Sequence, residues 1–409
     1  MKRILMIAYH FPPTRGSSGV HRTVQFAKHL PKFDWEPLIL TVHPRAYPSV
    51  GKDMLGGLPE SVVIKRAQAF DSARHFSFRN RYLDLTAIPD RWVTWWPHGV
   101  LSGLELIKNY NPSVIWSTYP IASAHLIALT IQQLTGLPWI ADFRDPMNIT
   151  SMQGQLAGID NRVVQWIERK TIEHSSAGLF VTQSALEQCI HRYPDKPSTY
   201  WKRIENGYDE SLFLGVKTLN RKGANYPIKL LHSGILYSKG RNPFCFFQAL
   251  RSYLDKGGVP VEVILRGAGQ EIDIEGWIFS LGLKDIVKIK PPISYKDAIE
   301  EMMQSDALLM IQGAEYNKQI PAKIYEYIRA GKPILALTDA LGESARLLKY
   351  WDGVYMGNME DADEIESALD QIVDSIQNQE KPIRDPKAVS KLSRKAGTLK
   401  LSKILNEFE

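Results

Sequence analysis

The sequence predicts an α/β protein built from two doubly wound domains. Apolar runs of strand length alternate with amphipathic segments of helical period along both halves of the chain. Glycine-rich and polar turns follow the ends of those runs, as they do at the carboxyl edge of a parallel sheet. The length, 409 residues, exceeds one ordinary domain and suits two of about 200.

Composition excludes several classes. Hydrophobic residues make up 44% and charged residues 23%, the balance of a globular chain and not of a disordered or fibrous one. Cys189 and Cys245 lie far apart and form no metal-ligand spacing, which points to packed thiols in a reducing compartment. No set of His, Asp and Glu clusters as a metal site either. No apolar run reaches the ~18 residues of a membrane span. Met1–Tyr9 is basic then apolar, but His10-Phe-Pro-Pro13 follows in place of a small-residue cleavage site, so it reads as a first strand. The net charge of +6 favours anionic lipid or nucleotide partners yet is too thinly spread for nucleic acid. A cytoplasmic protein is expected, either free or peripheral at the inner face of the membrane.

The first strand, Arg3–Tyr9, is a continuous apolar run of the buried parallel kind. Gly16-Ser-Ser-Gly19 then lies at the start of a helix carrying Val20, Val24, Phe26, Ala27 and Leu30. Small residues there let backbone approach a phosphate or a sugar, which makes Gly16, Ser17 and Gly19 binding candidates. Glu36–Val42 reads as the second strand. Between 66 and 96 the pattern turns irregular, with Arg66, Arg74, Arg79, Arg81 and Arg91 among Phe76, Phe78, Tyr82, Trp92, Trp95 and Trp96. Two readings compete: an insertion packing its aromatics on the sheet, to which the tryptophans lean, and a membrane-surface contact through 66–96.

Ser113–Ser117 and Pro138–Ala141 are further strands, separated by an apolar helix that holds His125. Asp142-Phe-Arg-Asp-Pro146 sits at a strand's carboxyl end, which makes Asp142, Arg144 and Asp145 crevice candidates; Arg144 could equally pair with a carboxylate and only fix the loop. His125 is the nearby histidine, readable as catalytic or as filler of a core pocket. Val163–Ser175 reads as a helix and Ala177–Thr182 as a strand. The first domain is placed at 1–204 and a linker at 205–226.

The second domain, 227–390, opens with strand Ile228–His232 and the loop Ser233-Gly-Ile-Leu-Tyr-Ser-Lys-Gly-Arg-Asn-Pro243. Lys239 and Arg241 there suit a diphosphate, Arg241 through bidentate geometry; a solvated basic loop is the alternative. Val261–Leu265 precedes Arg266-Gly-Ala-Gly269, and Ile286–Ile289 precedes a helix at Tyr295–Met303. Strand Asp306–Ile311 feeds a polar loop with Gly313, Glu315, Asn317 and Lys318. A helix follows from about Pro321, with Ile324, Tyr327 and Ile328 on one face, Gly331 as its stop and strand Pro333–Leu337 beyond. In such a unit the helix N-terminus faces the ligand crevice and favours anions. Lys318 and Lys323 flank it and Glu326 lies one turn in: cations for phosphate, a carboxylate for a ribose diol. Helices at Asp361–Ile376 and within Pro386–Phe408 close the chain.

Ile320-Pro-Ala-Lys-Ile-Tyr-Glu-Tyr-Ile-Arg-Ala-Gly-Lys-Pro-Ile334 resembles the donor-nucleotide motif of GT-B glycosyltransferases, specifically glycosyltransferase family 4. Ser117–Pro146 resembles a bacterial surface-polysaccharide subgroup of that family. The resemblance implies two Rossmann-like domains facing a cleft, with the last helix, 391–409, packing back on the first. It matches Glu326 to the glutamate that holds the ribose hydroxyls, while the preceding glutamate of the pair is Lys318 here. Gly234 with Lys239 and Arg241 is similar to the family's phosphate clamp, although Ile235 stands where its arginine would. Gly267 falls near the expected base. The family's catalytic histidine position reads Thr118, which leaves His125, Asp142 or Arg144 to serve the acceptor. The activity implied is retaining transfer from a nucleotide-diphosphate sugar, UDP- or GDP-linked, to a surface-glycan or lipid-linked acceptor, without cofactor or metal. A sugar-nucleotide epimerase and a non-catalytic scaffold of a polysaccharide-synthesis complex are the alternatives.

Overall fold

The computed structural model describes residues 1–14, 19–51, 58–59, 61–76, 87–147, 159–218, 227–269 and 271–409. Gly16 and Ser17, together with Phe78, Arg79, Arg81 and Tyr82, lie outside the described residues. The chain forms two compact units, Met1–Asn206 with Arg394–Glu409 and Gly207–Ser393.

The first unit carries β1 (Lys2–Ile7), β2 (Trp35–Val42), β3 (Val63–Ala67), β4 (Val114–Thr118), β5 (Trp139–Arg144), β6 (Ala177–Phe180) and β7 (Trp201–Arg203). They form one sheet in the order β3-β2-β1-β4-β5-β6-β7, and all its pairings are parallel. Its helices are α1 (Gly19–His29), α2 (Ser72–His75), α3 (Trp95–Tyr110), α4 (Ala122–Thr135), α5 (Ile159–His174) and α6 (Gln183–Arg192). Strand β1 shows why both faces must be covered. Leu5 and Ile7 join Ile127 and Ile131 of α4 in one core. Ile4 and Met6 point the other way, to Val20, Val24 and Phe26 of α1. Alternate side chains of a strand face opposite sides, so a run apolar at every position demands two helical layers.

The second unit holds β8 (Ile228–Ser233), β9 (Val261–Arg266), β10 (Val287–Lys290), β11 (Ala307–Gln312), β12 (Ile334–Thr338) and β13 (Val354–Gly357). Their order is β10-β9-β8-β11-β12-β13, again parallel. The helices are α7 (Phe244–Asp255), α8 (Ile274–Ser280), α9 (Tyr295–Gln304), α10 (Lys323–Ala330), α11 (Glu343–Leu348), α12 (Ala362–Gln377) and α13 (Pro386–Ser390). Leu309 and Ile311 pack toward Phe247 and Leu369, whereas Leu308 and Met310 pack toward Ile324 and Ile328. The closing helix, α14 (Arg394–Leu405), belongs to the first unit, where Leu401, Ile404 and Leu405 complete the core under α1.

Strand order reverses between β1 and β4 in one sheet and between β8 and β11 in the other. Loops leaving neighbouring strands diverge there and open a crevice at the carboxyl ends. Within 66–96 the tryptophans Trp92 and Trp95 are buried, and Trp95 begins α3. Arg66 donates to the carbonyls of Val42 and Pro12, Arg74 to that of Tyr47, and Arg91 grips the buried Asp71 at 2.6 and 2.9 Å. Tyr208 and Phe213, in the stretch read as linker, sit in the second unit's core, with the Arg329 guanidinium 5.0 Å from the Phe213 ring. Among the described residues, no helix is long and apolar enough to cross a membrane.

Candidate functional site

The β8/β11 switch point brings together a connected set of polar groups. Strand β11 ends in buried Gln312, whose amide donates to the carbonyls of Tyr316 (2.8 Å) and Gln319 (3.0 Å) while accepting from Ser344. That clamp fixes the loop leading to α10. The helix buries Ile324, Tyr327 and Ile328, takes no side-chain cap at Ala322, and ends at Gly331 with φ +69. Its apolar stripe pins one face to the sheet, so Lys323 at its start is turned toward the end of β8.

The Lys323 ammonium lies 3.4 Å from Nε2 of His232 and 3.4 Å from the carbonyl of Ser233. Burial holds its pKa well below the ordinary lysine range, and the Arg241 guanidinium adds repulsion that Glu326 partly offsets. His232 is fully buried and its Nδ1 lies 3.1 Å from the Leu309 carbonyl. A carbonyl only accepts, so Nδ1 carries the proton and Nε2 presents its lone pair to Lys323. Burial, then the neighbouring Lys323 charge, keeps this imidazole neutral. Gly234 follows with φ +130, a conformation reserved to glycine, and a Cβ there would stand 3.7 Å from the lysine nitrogen.

Arg241 is held between two tyrosines, its guanidinium carbon 5.4 Å from the Tyr237 ring and 5.2 Å from the Tyr316 ring. The sandwich orients a planar cation without using its N–H groups. Gly240 makes it fit: φ is +69, and a Cβ would come within 2.6 Å of the Tyr316 ring. Glu326, buried in the first turn of α10, accepts a hydrogen bond from the Tyr295 hydroxyl.

In the first unit the carboxyl end of β5 holds a different arrangement. Asp142 is buried and bound bidentately by Arg22 of α1 at 2.7 and 2.9 Å, with Thr118 donating at 3.1 Å. Arg22 also donates to the carbonyls of Ile204 and Glu205. The carboxylate thus pairs with Arg22, not Arg144, and accepts three hydrogen bonds. Arg144 takes φ +63 at a break in the β5/β6 register and donates to the Tyr119 carbonyl at 3.4 Å. Burial raises the Asp145 pKa while Arg144 lowers it. His125 lies inside the core: its Nδ1 is 2.7 Å from the Ser117 hydroxyl, Phe143 meets it edge-on at 5.3 Å, and burial drives its pKa down to about 3.

Of the residues the sequence singled out, Gly234, Lys323, Arg241 and Glu326 therefore share one crevice. Lys239 is exposed on the loop, and no hydrogen bond or ion pair holds it among the described residues. Lys318 is exposed as well, and Ile320 packs against the apolar layer of α10. Gly267 turns the chain after β9 with φ +63, against Pro292. Gly19 is buried at the first position of α1. His232, Tyr295, Gln312 and the two stacking tyrosines went unread in the sequence. Only His232 carried a signal, a histidine where a buried strand ends one residue before the Ser-Gly turn. Among the described residues, no three His, Cys, Asp or Glu side chains are grouped to hold a metal.

No family model matches the chain, and no curated protein does. Solved structures do. Sucrose-phosphate synthase from Thermosynechococcus elongatus aligns over 100% of this chain and 99% of its own at 14% identity, with a TM-score of 0.69. HepE from Anabaena, solved with UDP, aligns over 100% of both chains at 14% identity and a TM-score of 0.67. WaaG, a glycosyltransferase of lipopolysaccharide biosynthesis, covers 99% and 95% at 12% identity, with a TM-score of 0.58. A UDP-N-acetylglucosamine 2-epimerase shares the architecture too, over 100% and 97% at 11% identity with a TM-score of 0.55. The fold is GT-B.

Proposed function

We propose that the protein is a retaining glycosyltransferase that moves a sugar from a UDP- or GDP-linked donor to a surface-glycan or lipid-linked acceptor. The observation that carries this reading is the meeting of Lys323, Arg241 and Glu326 beside the bare Gly234 turn at the β8/β11 switch point. Two cations and an uncapped helix start suit a diphosphate, and a carboxylate one turn further on suits a ribose diol. HepE, of the same fold, was solved with UDP.

The chemistry asked of these groups is electrostatic. As the glycosidic bond breaks, negative charge grows on the diphosphate, and cations fixed beforehand stabilise it without reorganising. Arg241 is fixed by its two rings, and Lys323 rests on the Ser233 carbonyl of the turn. Glu326, steadied by Tyr295, anchors the nucleoside. On the acceptor side Arg144 and Asp145 are better placed than Asp142, which is held by Arg22, or His125, which is enclosed in the core. The net charge of +6 suits a peripheral position at the inner membrane face.

Calorimetric titration with UDP, GDP, dTDP, ADP and CMP tests the reading. Selective binding of UDP or GDP is expected; well-folded protein that binds no diphosphate would overturn it and leave a scaffold. The epimerase of the same fold motivates a second reading. NMR of the protein with its bound nucleotide sugar and no acceptor separates the two, because only an epimerase converts the donor to its epimer.

A further inference from the structure

The histidine at the end of β8 has no part in the chemistry above, yet its Nε2 lies 3.4 Å from the ammonium of the half-buried Lys323. Its Nδ1 donates to the Leu309 carbonyl of β11 at 3.1 Å, so the ring is tied across the strand pair at which the sheet order reverses. The same carbonyl also receives the Tyr327 hydroxyl at 3.4 Å, and that oxygen in turn accepts from the Ser233 N–H at 3.4 Å. The imidazole is therefore fixed in one plane and one tautomer, and its Nε2 faces Lys323. Lysine is a flexible cation on a long stem, and a single acceptor at the right place decides where its nitrogen rests. The second acceptor, the Ser233 carbonyl, belongs to the turn itself.

We propose that His232 is the positioning residue for Lys323: its Nε2 holds the ammonium against the Ser233–Gly234 turn, so that a nucleoside diphosphate meets a preset cation. The inference rests on the donor-site reading. It also gives the bare Gly234 turn a purpose, because a Cβ there would stand 3.7 Å from that nitrogen and narrow the approach of a phosphate oxygen. Three charged or titratable groups face the lysine: His232 from β8, Arg241 from the loop after it, and Glu326 on its own helix.

The two ring nitrogens can be tested apart. H232N keeps a donor near Nδ1 for the Leu309 carbonyl but removes the acceptor that Lys323 uses; H232Q extends far enough to restore an acceptor near Nε2. The probes are UDP or GDP, whichever the wild type binds, and the matching nucleoside. H232N is expected to weaken the diphosphate about tenfold, the range of one charge-assisted hydrogen bond, and to leave the nucleoside unchanged. H232Q should recover most of the loss, and H232N should add nothing in a K323M background. Unchanged diphosphate affinity in folded H232N overturns the inference. So does equal weakening of diphosphate and nucleoside in both variants, which would make His232 merely structural. If the wild type binds neither diphosphate, the donor-site reading itself has failed.

Discussion

Replacing Asp142 by asparagine separates a catalytic carboxylate from a structural one. Asp142 is fully buried, and Arg22, only 3% exposed, meets it through two hydrogen bonds of 2.7 and 2.9 Å. The pair joins α1 to β5, and the remaining Arg22 contacts reach the chain at Ile204 and Glu205. D142N keeps the shape but removes the charge, which leaves a guanidinium buried without its counter-ion. Breaking one partner of such a pair costs about 3–5 kcal/mol. The first unit contains about 220 residues, a size at which each kcal/mol moves the melting temperature by about 2–4 °C. The transition of the first unit should therefore fall by roughly 10 °C in scanning calorimetry. R22M/D142L, apolar at both positions, should recover part of that loss, because neither charge is then stranded. Turnover per folded molecule, measured well below the transition, should stay within a fewfold of wild type. A melting point within about 2 °C of wild type, combined with lost turnover, would refute the structural assignment and return Asp142 to the chemistry.

Glu326→Ala should weaken nucleotide binding in titration calorimetry by about tenfold while the circular dichroism spectrum stays native; unchanged affinity would remove Glu326 from the site. Lys323→Met should raise the melting point of the ligand-free second unit by about 2–4 °C, from roughly 1 kcal/mol gained by not desolvating a charge, while diphosphate binding weakens at least as much as in H232N and stays measurable. Acid should destabilise the first unit through His125, whose folded-state pKa is lowered from 6.5 to about 3 by burial. The unfolded chain takes up that proton first, so stability is level above pH 6.5 and declines from there toward pH 3, by roughly 1.4 kcal/mol per unit. Urea unfolding of H125Q between pH 7 and 4 should show a shallower decline than wild type.

The parallel sheets were legible because their strands announce themselves twice, by unbroken apolar runs and by the turns that follow. Strands β3, β7 and β13 were not, and they lie at or next to a sheet edge. β3 reads Val-Ile-Lys-Arg-Ala, with four of its five residues only half buried, and β7 is the tripeptide Trp201–Arg203. An edge strand need not be apolar at every position, so its pattern fades into loop. The aromatic stretch near 90 left two readings open for a related reason. Trp95 and Trp96 are adjacent in sequence, yet Trp95 is buried at the first position of α3 and Trp96 is 39% exposed with its indole N–H on Thr130. Composition alone does not tell the two apart.

The crevice at the β8/β11 switch point shows the same division between what residue type reveals and what only placement decides. Lysines at 239, 318 and 323 look alike in sequence, and the first two are exposed in the fold. Lys323 differs because the stripe of Ile324, Tyr327 and Ile328 rotates α10 so that its first residue meets the end of β8. Ile235, in the place where the resemblance expects an arginine, is 46% exposed and supplies no charge. The cation at this turn comes instead from the opposite side of the switch point. Half-burying a lysine beside a neutral histidine and an arginine is unfavourable in the empty fold, since desolvation and repulsion both act on it. A leucine or methionine would pack there with less strain. A chain that served only as a scaffold would gain nothing from this arrangement, whereas one that binds a diphosphate gains a cation whose charge becomes favourable when the anion arrives.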